Sequence, residues 1–434
     1  MAATCGHSKS PKNLKDALDF VLALSRGNHN RAVVQAIEKR VKQYCDEIYD
    51  TSYLETPTNN LRTLRLKLID TSSPELNNII PQSLECLPDV VSTLFPILYT
   101  TLFYFWFNVN DKNNGGGAWE EQQCSNSTAI HKWLKGSNGL QSAKNSPAKV
   151  WCGGFGNELK LQKGKACASA LGDCVGDGTG DKLRQFVGRL LFYKPCFPEL
   201  TSFGLVFIRE LCKCVIGADE DNGDGKPRQA FQNALREQNK NAIPNYTGFE
   251  ECCQAVKISI NNLIGQQSGG SAHLHIPENS HTLYKNKLKY DNFNRYLTWL
   301  SEHLPNIIKH LEQMKDDCQE WSLDNVATAE DAGPFPYGFG FPKGGNWDQD
   351  QSGQIKSGVR NAISTLSAEG SGTLRKLLRY VNQFTAMSAS TSPAGSIVGT
   401  TLTLGALGGG AAAVYFNIGG AATFLNGLLN FRSF

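Results

Sequence analysis

The stretch from Asp291 to Asp350 constrains the fold more than any other. Its first half carries an apolar seam: Phe293, Leu297, Leu300, Leu304, Ile307, Ile308, Leu311, Met314, Cys318 and Trp321. Steps of three and four residues put every member on one helical face. The polar positions between them (Lys309, Glu312, Lys315, Asp316, Gln319) are expected in water. Pro305 falls inside the seam, and a proline suits the first turn of a helix rather than its middle, so the expectation is two helices meeting near Leu304. Gly333-Pro-Phe-Pro-Tyr-Gly-Phe-Gly-Phe-Pro342 and Gly344-Gly-Asn-Trp347 follow. Prolines stop a helix and glycines allow tight turns. Phe335, Tyr337, Phe339, Phe341 and Trp347 are too many rings to leave in solvent. The expected arrangement is a lariat of aromatic-rich backbone that folds back and caps the preceding helix.

Upstream, Asn13 opens a helix with Asp16 three residues on, striped by Leu14, Ala17, Leu18, Val21 and Leu22 and ended by Gly27. A second helix is expected from Asn30 to Tyr49, antiparallel to the first. Asn59–Ile69 has leucines at mixed periods and is read as helix. Val90–Phe107 is an uncharged run long enough to span a membrane. Pro96, its Thr and Ser residues and its crowded aromatics favour a buried core segment. A helical pair is expected over Asp181–Val215, further helices over Pro227–Gln238, Gly248–Ile264 and Ile355–Met387, and a polar, glycine-rich linker or exposed loop over Gly265–Asn279. Beyond Pro393 the tail is apolar and rich in glycine, with small-residue spacings at Gly395/Gly399 and Gly405/Gly409. A membrane-embedded segment, a buried Gly/Ala helical hairpin and disorder remain open for it. The fold class expected is mainly α: an irregular helical ectodomain with long cysteine- and glycine-containing loops. Its domains are 1–390 (sub-regions about 1–107, 108–264 and 280–390) and an apolar tail, 391–434.

Chemistry is hard to assemble from the sequence. A net charge of +3 over 434 residues argues for no nucleic-acid partner. The Gly176-Asp-Gly-Thr-Gly-Asp-Lys182 stretch lacks the ending of a phosphate loop. Glu220, Asn222, Asp224 and Gly225 imitate a calcium loop, but Phe231 stands where its bidentate glutamate belongs. His273-x-His275 has no acidic or thiol company in sequence, and His303 and His310 are expected on a helix flank. No metal or cofactor is expected.

Thirteen cysteines suit an ectodomain better than a cytosolic protein. Cys45, Cys86, Cys124, Cys152, Cys167, Cys174, Cys196, Cys212, Cys214, Cys252, Cys253 and Cys318 read as core thiols or structural disulfides. Yet Met1–Lys12 has no apolar core and does not read as a secretory signal. Asn126-Ser-Thr128 and Asn245-Tyr-Thr247 are glycosylation sequons, with meaning only if the chain crosses a secretory membrane.

Several stretches, taken in order, resemble one family. They are Asn13-Leu-Lys-Asp-Ala-Leu-Asp-Phe-Val-Leu22; Leu102-Phe-Tyr-Phe-Trp-Phe-Asn108 with Gly115-Gly-Gly-Ala-Trp119; Leu190-Leu-Phe-Tyr-Lys-Pro-Cys196; and Leu211-Cys-Lys-Cys214. Most specific are His303-Leu-Pro-Asn-Ile-Ile308, Cys318-x-x-Trp321 and Ala332-Gly-Pro-Phe-Pro-Tyr-Gly-Phe339 through Trp347; the tail is similar as well. With these features the chain resembles the variant erythrocyte surface antigens of babesial parasites. Its structural fingerprint is Trp321, Gly333, Pro334, Phe335, Tyr337, Gly338, Phe339 and Trp347.

The resemblance implies a non-enzymatic protein exported to the infected erythrocyte surface and associated with its membrane. It implies antigenic variation, adhesion to a host endothelial receptor, recognition by host antibodies and a second surface-antigen subunit. Longer members continue to a hydrophobic anchor. For this chain, membrane contact is expected through 394–431, with stable display needing a partner subunit or a downstream anchor. The alternative is a thiol- or zinc-dependent enzyme or metal-binding protein, suggested by the cysteine and histidine counts.

Overall fold

The structure, a computed structural model, describes residues 11–25, 29–45, 52–69, 86–109, 133–136, 150–160, 168–176, 181–217, 228–230, 232–233, 246–266, 272–289, 293–320, 337–340 and 349–390. The chain divides into units Met1–Thr391 and Ser392–Phe434. The expectations for the tail, for Trp321, Gly333, Pro334, Phe335 and Trp347, for Cys124 and Cys167, for Asn126 and Asn245, and for the Glu220–Gly225 loop lie outside the described residues.

The fold is mainly α. Helices run α1 (Leu14–Leu24), α2 (His29–Val41), α3 (Ser52–Leu68), α4 (Leu87–Val109), α5 (Ala168–Val175), α6 (Asp181–Tyr193), α7 (Thr201–Ile216), α8 (Tyr246–Ile264), α9 (Phe293–Glu320), α10 (Gln349–Ser367) and α11 (Thr373–Ser390). Among the described residues there is no strand, only the isolated bridges Cys45–Leu288, Ile69–Leu159 and His275–Gly340. In the first half α3 packs on α1, α5 and α6, and α4 on α5 and α6. In the second, α8 packs on α7, α10 and α11, and α9 on α10 and α11. A single hydrophobic cluster runs through both halves.

Asn13 caps α1 as its sequence suggests: Asp16 N–H donates to Asn13 Oδ1 at 2.8 Å, and Lys12 N–H donates to Asp16 Oδ2 at 3.1 Å. The helix ends at Leu24, short of Gly27. The α1–α2 hairpin is not the principal packing. Nearly every side of α1 is buried, mostly against α3, while α2 lies on α6 and α4. Nor does α2 continue to Tyr49. Tertiary contacts take Tyr44 instead: its carbonyl accepts from Lys289 N at 3.0 Å and from Tyr296 Oη, and its ring stacks on Phe192 at 4.9 Å.

In α3 the mixed period has a simple origin. Leu54, Leu61, Leu64 and Leu68 are buried in helical phase, whereas Leu66 is 53% exposed. Val90–Phe107 lies within α4, where five successive residues, Leu102 to Trp106, are buried. A helix apolar all round belongs in a core or a membrane; this one is enclosed by α2, α5 and α6. Among the described residues no helix is long and apolar enough to cross a membrane.

The two helices expected around Leu304 are one. α9 passes through Pro305 without a break. A mid-helix proline costs about 3 kcal/mol. Leu304, Ile307, Ile308 and Leu311 flank it in unbroken phase at 0–4% exposure, and each buried side chain is worth about 1.5–3 kcal/mol, so the seam prevails. Ile355–Met387 is the converse case. Gly370, at φ 75°, ends the run and α11 restarts at Thr373. The Gly265–Asn279 linker is packed from residue 272 onward. Leu274 and Ile276 are buried in alternation with His273 and His275, and Leu274 N–H donates to Leu263 O at 2.8 Å.

Candidate functional site

The described part of the aromatic segment docks on three elements. Tyr337 and Phe339 are 1% and 0% exposed. Tyr337 Oη donates to Asp317 Oδ2 on α9 at 2.8 Å, and Asp317 Oδ1 also accepts from Gln313 Nε2 at 3.2 Å. Gly338 sits at φ 83°, which a side chain disfavours. A Cβ there would fall 2.3 Å from Ser202 Oγ and 3.1 Å from Glu199 O, so the backbone lies directly on the start of α7. Gly340 and His275 then exchange backbone hydrogen bonds of 2.6 and 2.7 Å. Tyr337, Gly338 and Phe339 are thus brought together as a clasp on the helical core.

A second constellation was not legible in the sequence. Cys196 follows Pro195 in the turn after α6, and its Sγ lies 3.8 Å from His303 Nδ1 on α9. One turn on, Asn306 Nδ2 donates to the same sulfur at 3.6 Å. His303 is no free flank residue: it is half-buried and packs edge-on against Trp299 at 5.1 Å, with Glu302 Oε2 3.5 Å from its Nε2. Thiol, imidazole and amide are the parts of a cysteine nucleophile, but their protonation opposes it. Burial, then Arg40, lowers the His303 pKa to about 4. Burial raises the Cys196 thiol, with the Asn306 bond opposing. At neutral pH the pair is therefore thiol and neutral imidazole, not thiolate and imidazolium. The available signals were the i, i+3 spacing of His303 and Asn306 and the Pro-Cys turn, far apart in sequence.

Other polar groups knit helices together. His310, expected on a flank, is 9% exposed, with Nδ1 3.5 Å from Thr201 Oγ1. The buried Arg209 donates to Gly265 O at 2.9 Å and to His281 O at 3.2 Å, and lies 3.1 Å from His281 Nδ1. A guanidinium only donates, so that imidazole nitrogen accepts and His281 is neutral. Arg184 donates to the carbonyls of Val175 and Gly176 at 2.7 and 2.8 Å, closing the C-terminus of α5. Arg65 Nε meets Asp19 Oδ1 at 2.6 Å inside the core.

The described cysteines include a disulfide-bonded residue, buried thiols and one exposed thiol, Cys196. Cys86 is disulfide-bonded; Cys152, Cys174, Cys196, Cys212, Cys252, Cys253 and Cys318 are thiols. Burial, as the largest cause, pushes Cys252 and Cys318 up to about 12 and Cys253, which hydrogen-bonds Cys212, well up. Such thiols are inert. Cys45 and Cys214 are buried too. Among the described residues no group of three His, Cys, Asp or Glu is placed to hold a metal ion. Comparison with protein families, curated proteins and solved structures found no match.

Proposed function

We propose that the chain is a non-enzymatic surface antigen of the variant erythrocyte type, displayed on infected red cells with a partner subunit and acting in antigenic variation and adhesion to host endothelium. The observation that carries this reading is the docking of Tyr337, Gly338 and Phe339. The most specific stretch of the resemblance is one in which side-chain identity has a packing reason: a ring at 0% exposure, a hydroxyl on Asp317, a glycine where a Cβ would strike Ser202. Surface labelling of intact infected cells, with and without external protease, tests it. The expected result is a labelled chain whose label is lost on protease treatment. A chain that escapes both label and protease while the cells stay intact would overturn it.

The Cys196–His303–Asn306 cluster supports a second reading, a thiol-dependent activity. The two readings differ in the pH profile of alkylation. The raised thiol predicts that Cys196, exposed where the other described thiols are buried, reacts with iodoacetamide at a rate climbing about tenfold per pH unit from 7 to 9, as thiolate forms. Cys196→Ser should remove this reaction. A rate already level at neutral pH would signal an activated thiolate and favour the enzyme.

A further inference from the structure

A cleft of about 550 Å³ lies between α9 and α10. Lys315 lines one wall; Gly353, Lys356, Ser357, Arg360 and Ser364 line the other. Steps of three and four place the α10 set on one helical face. Among the described residues the lining holds three cationic side chains and no carboxylate. Two of the nearby acids on α9 are already engaged: Asp317 accepts from Tyr337 and Gln313, and Glu312 pairs with Arg375 at 2.5 Å. Asp316 is exposed beside Lys315. Arg360 already has a partner, so the two lysines carry the argument. Among the described residues neither Lys315 nor Lys356 enters an ion pair. Like charges drawn into one concavity repel each other and focus a positive potential there. The overall charge of +3 is too small to announce this; the clustering is local.

Gly353 is an independent pointer. A mid-helix glycine costs about 1 kcal/mol and usually has a packing reason. Gly358, on the same helix, has one, since a Cβ there would fall 2.5 Å from His273 Nδ1. At Gly353 a Cβ would meet nothing within 4 Å. Among the described residues, nothing closes that side of the cleft over its bare backbone.

We infer that this cleft binds a phosphate or sulfate monoester of a sugar-sized molecule. The lysines hold the oxyanion, and the Ser357 and Ser364 hydroxyls meet the polar body it is carried on. A bare anion would leave most of the space empty, whereas cavities of this size hold small organic ligands.

Calorimetric titration of the full chain with glucose 6-phosphate, glucose 6-sulfate and glucose tests this. One ester should saturate at one per chain and glucose should not bind. Lys315→Gln and Lys356→Gln should each weaken binding about tenfold or more, and added salt should weaken it further. Gly353→Leu should abolish binding with the melting temperature unchanged or raised. The ester that binds more tightly identifies the source of the anion. A phosphate ester should also lose affinity as pH falls from about 7.5 to 5.5, through its second pKa near 6, and a sulfate ester should not. No saturable binding of either ester up to about 10 mM, an affinity of only about 3 kcal/mol, would overturn the inference. So would binding that survives both lysine variants and Gly353→Leu.

Discussion

Replacing Trp299 with alanine is expected to cost the fold about 3–5 kcal/mol. Trp299 is 1% exposed on α9 and packs edge-on to Phe207 at 4.8 Å and Phe192 at 6.3 Å. Its Nε1 donates to Leu191 O at 3.4 Å. Phe192 and Phe207 in turn both meet Tyr284 edge-on at 5.7 Å, and Phe207 lies 5.8 Å from Tyr296. One indole therefore joins α6, α7, α9 and the turn around Tyr284. Its removal forfeits transferred area and leaves a void among rigid rings that cannot collapse to fill it. Aromatic pairs add about 0.5–1.5 kcal/mol beyond area, so Trp299→Phe should recover a good part of the loss. Urea midpoints at constant m-value measure both variants. A loss below about 1 kcal/mol for Trp299→Ala would place the residue at the margin of the core rather than at its centre.

Trp299 also marks the limit of what period alone discloses. The seam from Phe293 to Cys318 was legible because its steps match one helical face, and its described members are buried. Tyr296, Trp299, His303 and His310 form a neighbouring stripe that also meets protein. Its two histidines read as flank residues, and tyrosine and tryptophan carry polar atoms, so the stripe does not stand out as a second apolar face. Its burial depends on α7 and the turn at Tyr284, which no local pattern on α9 encodes. The same holds for Tyr44. Its residue type allows helix, and three partners from elsewhere in the chain stop it. The clasp was legible in part, because Tyr337, Gly338 and Phe339 have no good solvent-exposed alternative; their seat on Ser202 and Asp317 was not. The Cys196–His303 contact and the Lys315–Lys356 cleft were invisible for one reason. Each joins elements distant in sequence, and each residue taken alone is ordinary on a surface.

Acid should unfold this protein through two buried imidazoles, His281 and His310, and a half-buried one, His303. His281 is held neutral, its pKa lowered to about 3 by burial and then by Arg209, His275 and Lys213. His310 is lowered to about 4 by burial and then Lys309, and His303 to about 4 by burial and then Arg40. Unfolded, each would take up a proton near pH 6.5. Below that pH the unfolded chain binds more protons than the fold, so stability falls as pH falls. The contribution is complete above about 6.5 and drains away towards about 3–4. At pH 5 His281 and His310 each cost about 2 kcal/mol, and His303, screened by solvent and beside the Glu302 carboxylate, less, about 5 in all. That is comparable to the whole stability of an ordinary domain, about 5–15 kcal/mol. His281 is the informative variant. Its Nδ1 faces Arg209, and a glutamine amide oxygen can accept there without ever taking a proton. The urea midpoint of the native chain should fall steeply between pH 7 and 5, and His281→Gln should flatten that fall by about 2 kcal/mol. A native chain equally stable at pH 7 and pH 5 would mean that these imidazoles are not held neutral in the core. An undiminished slope in the variant would clear His281 in particular.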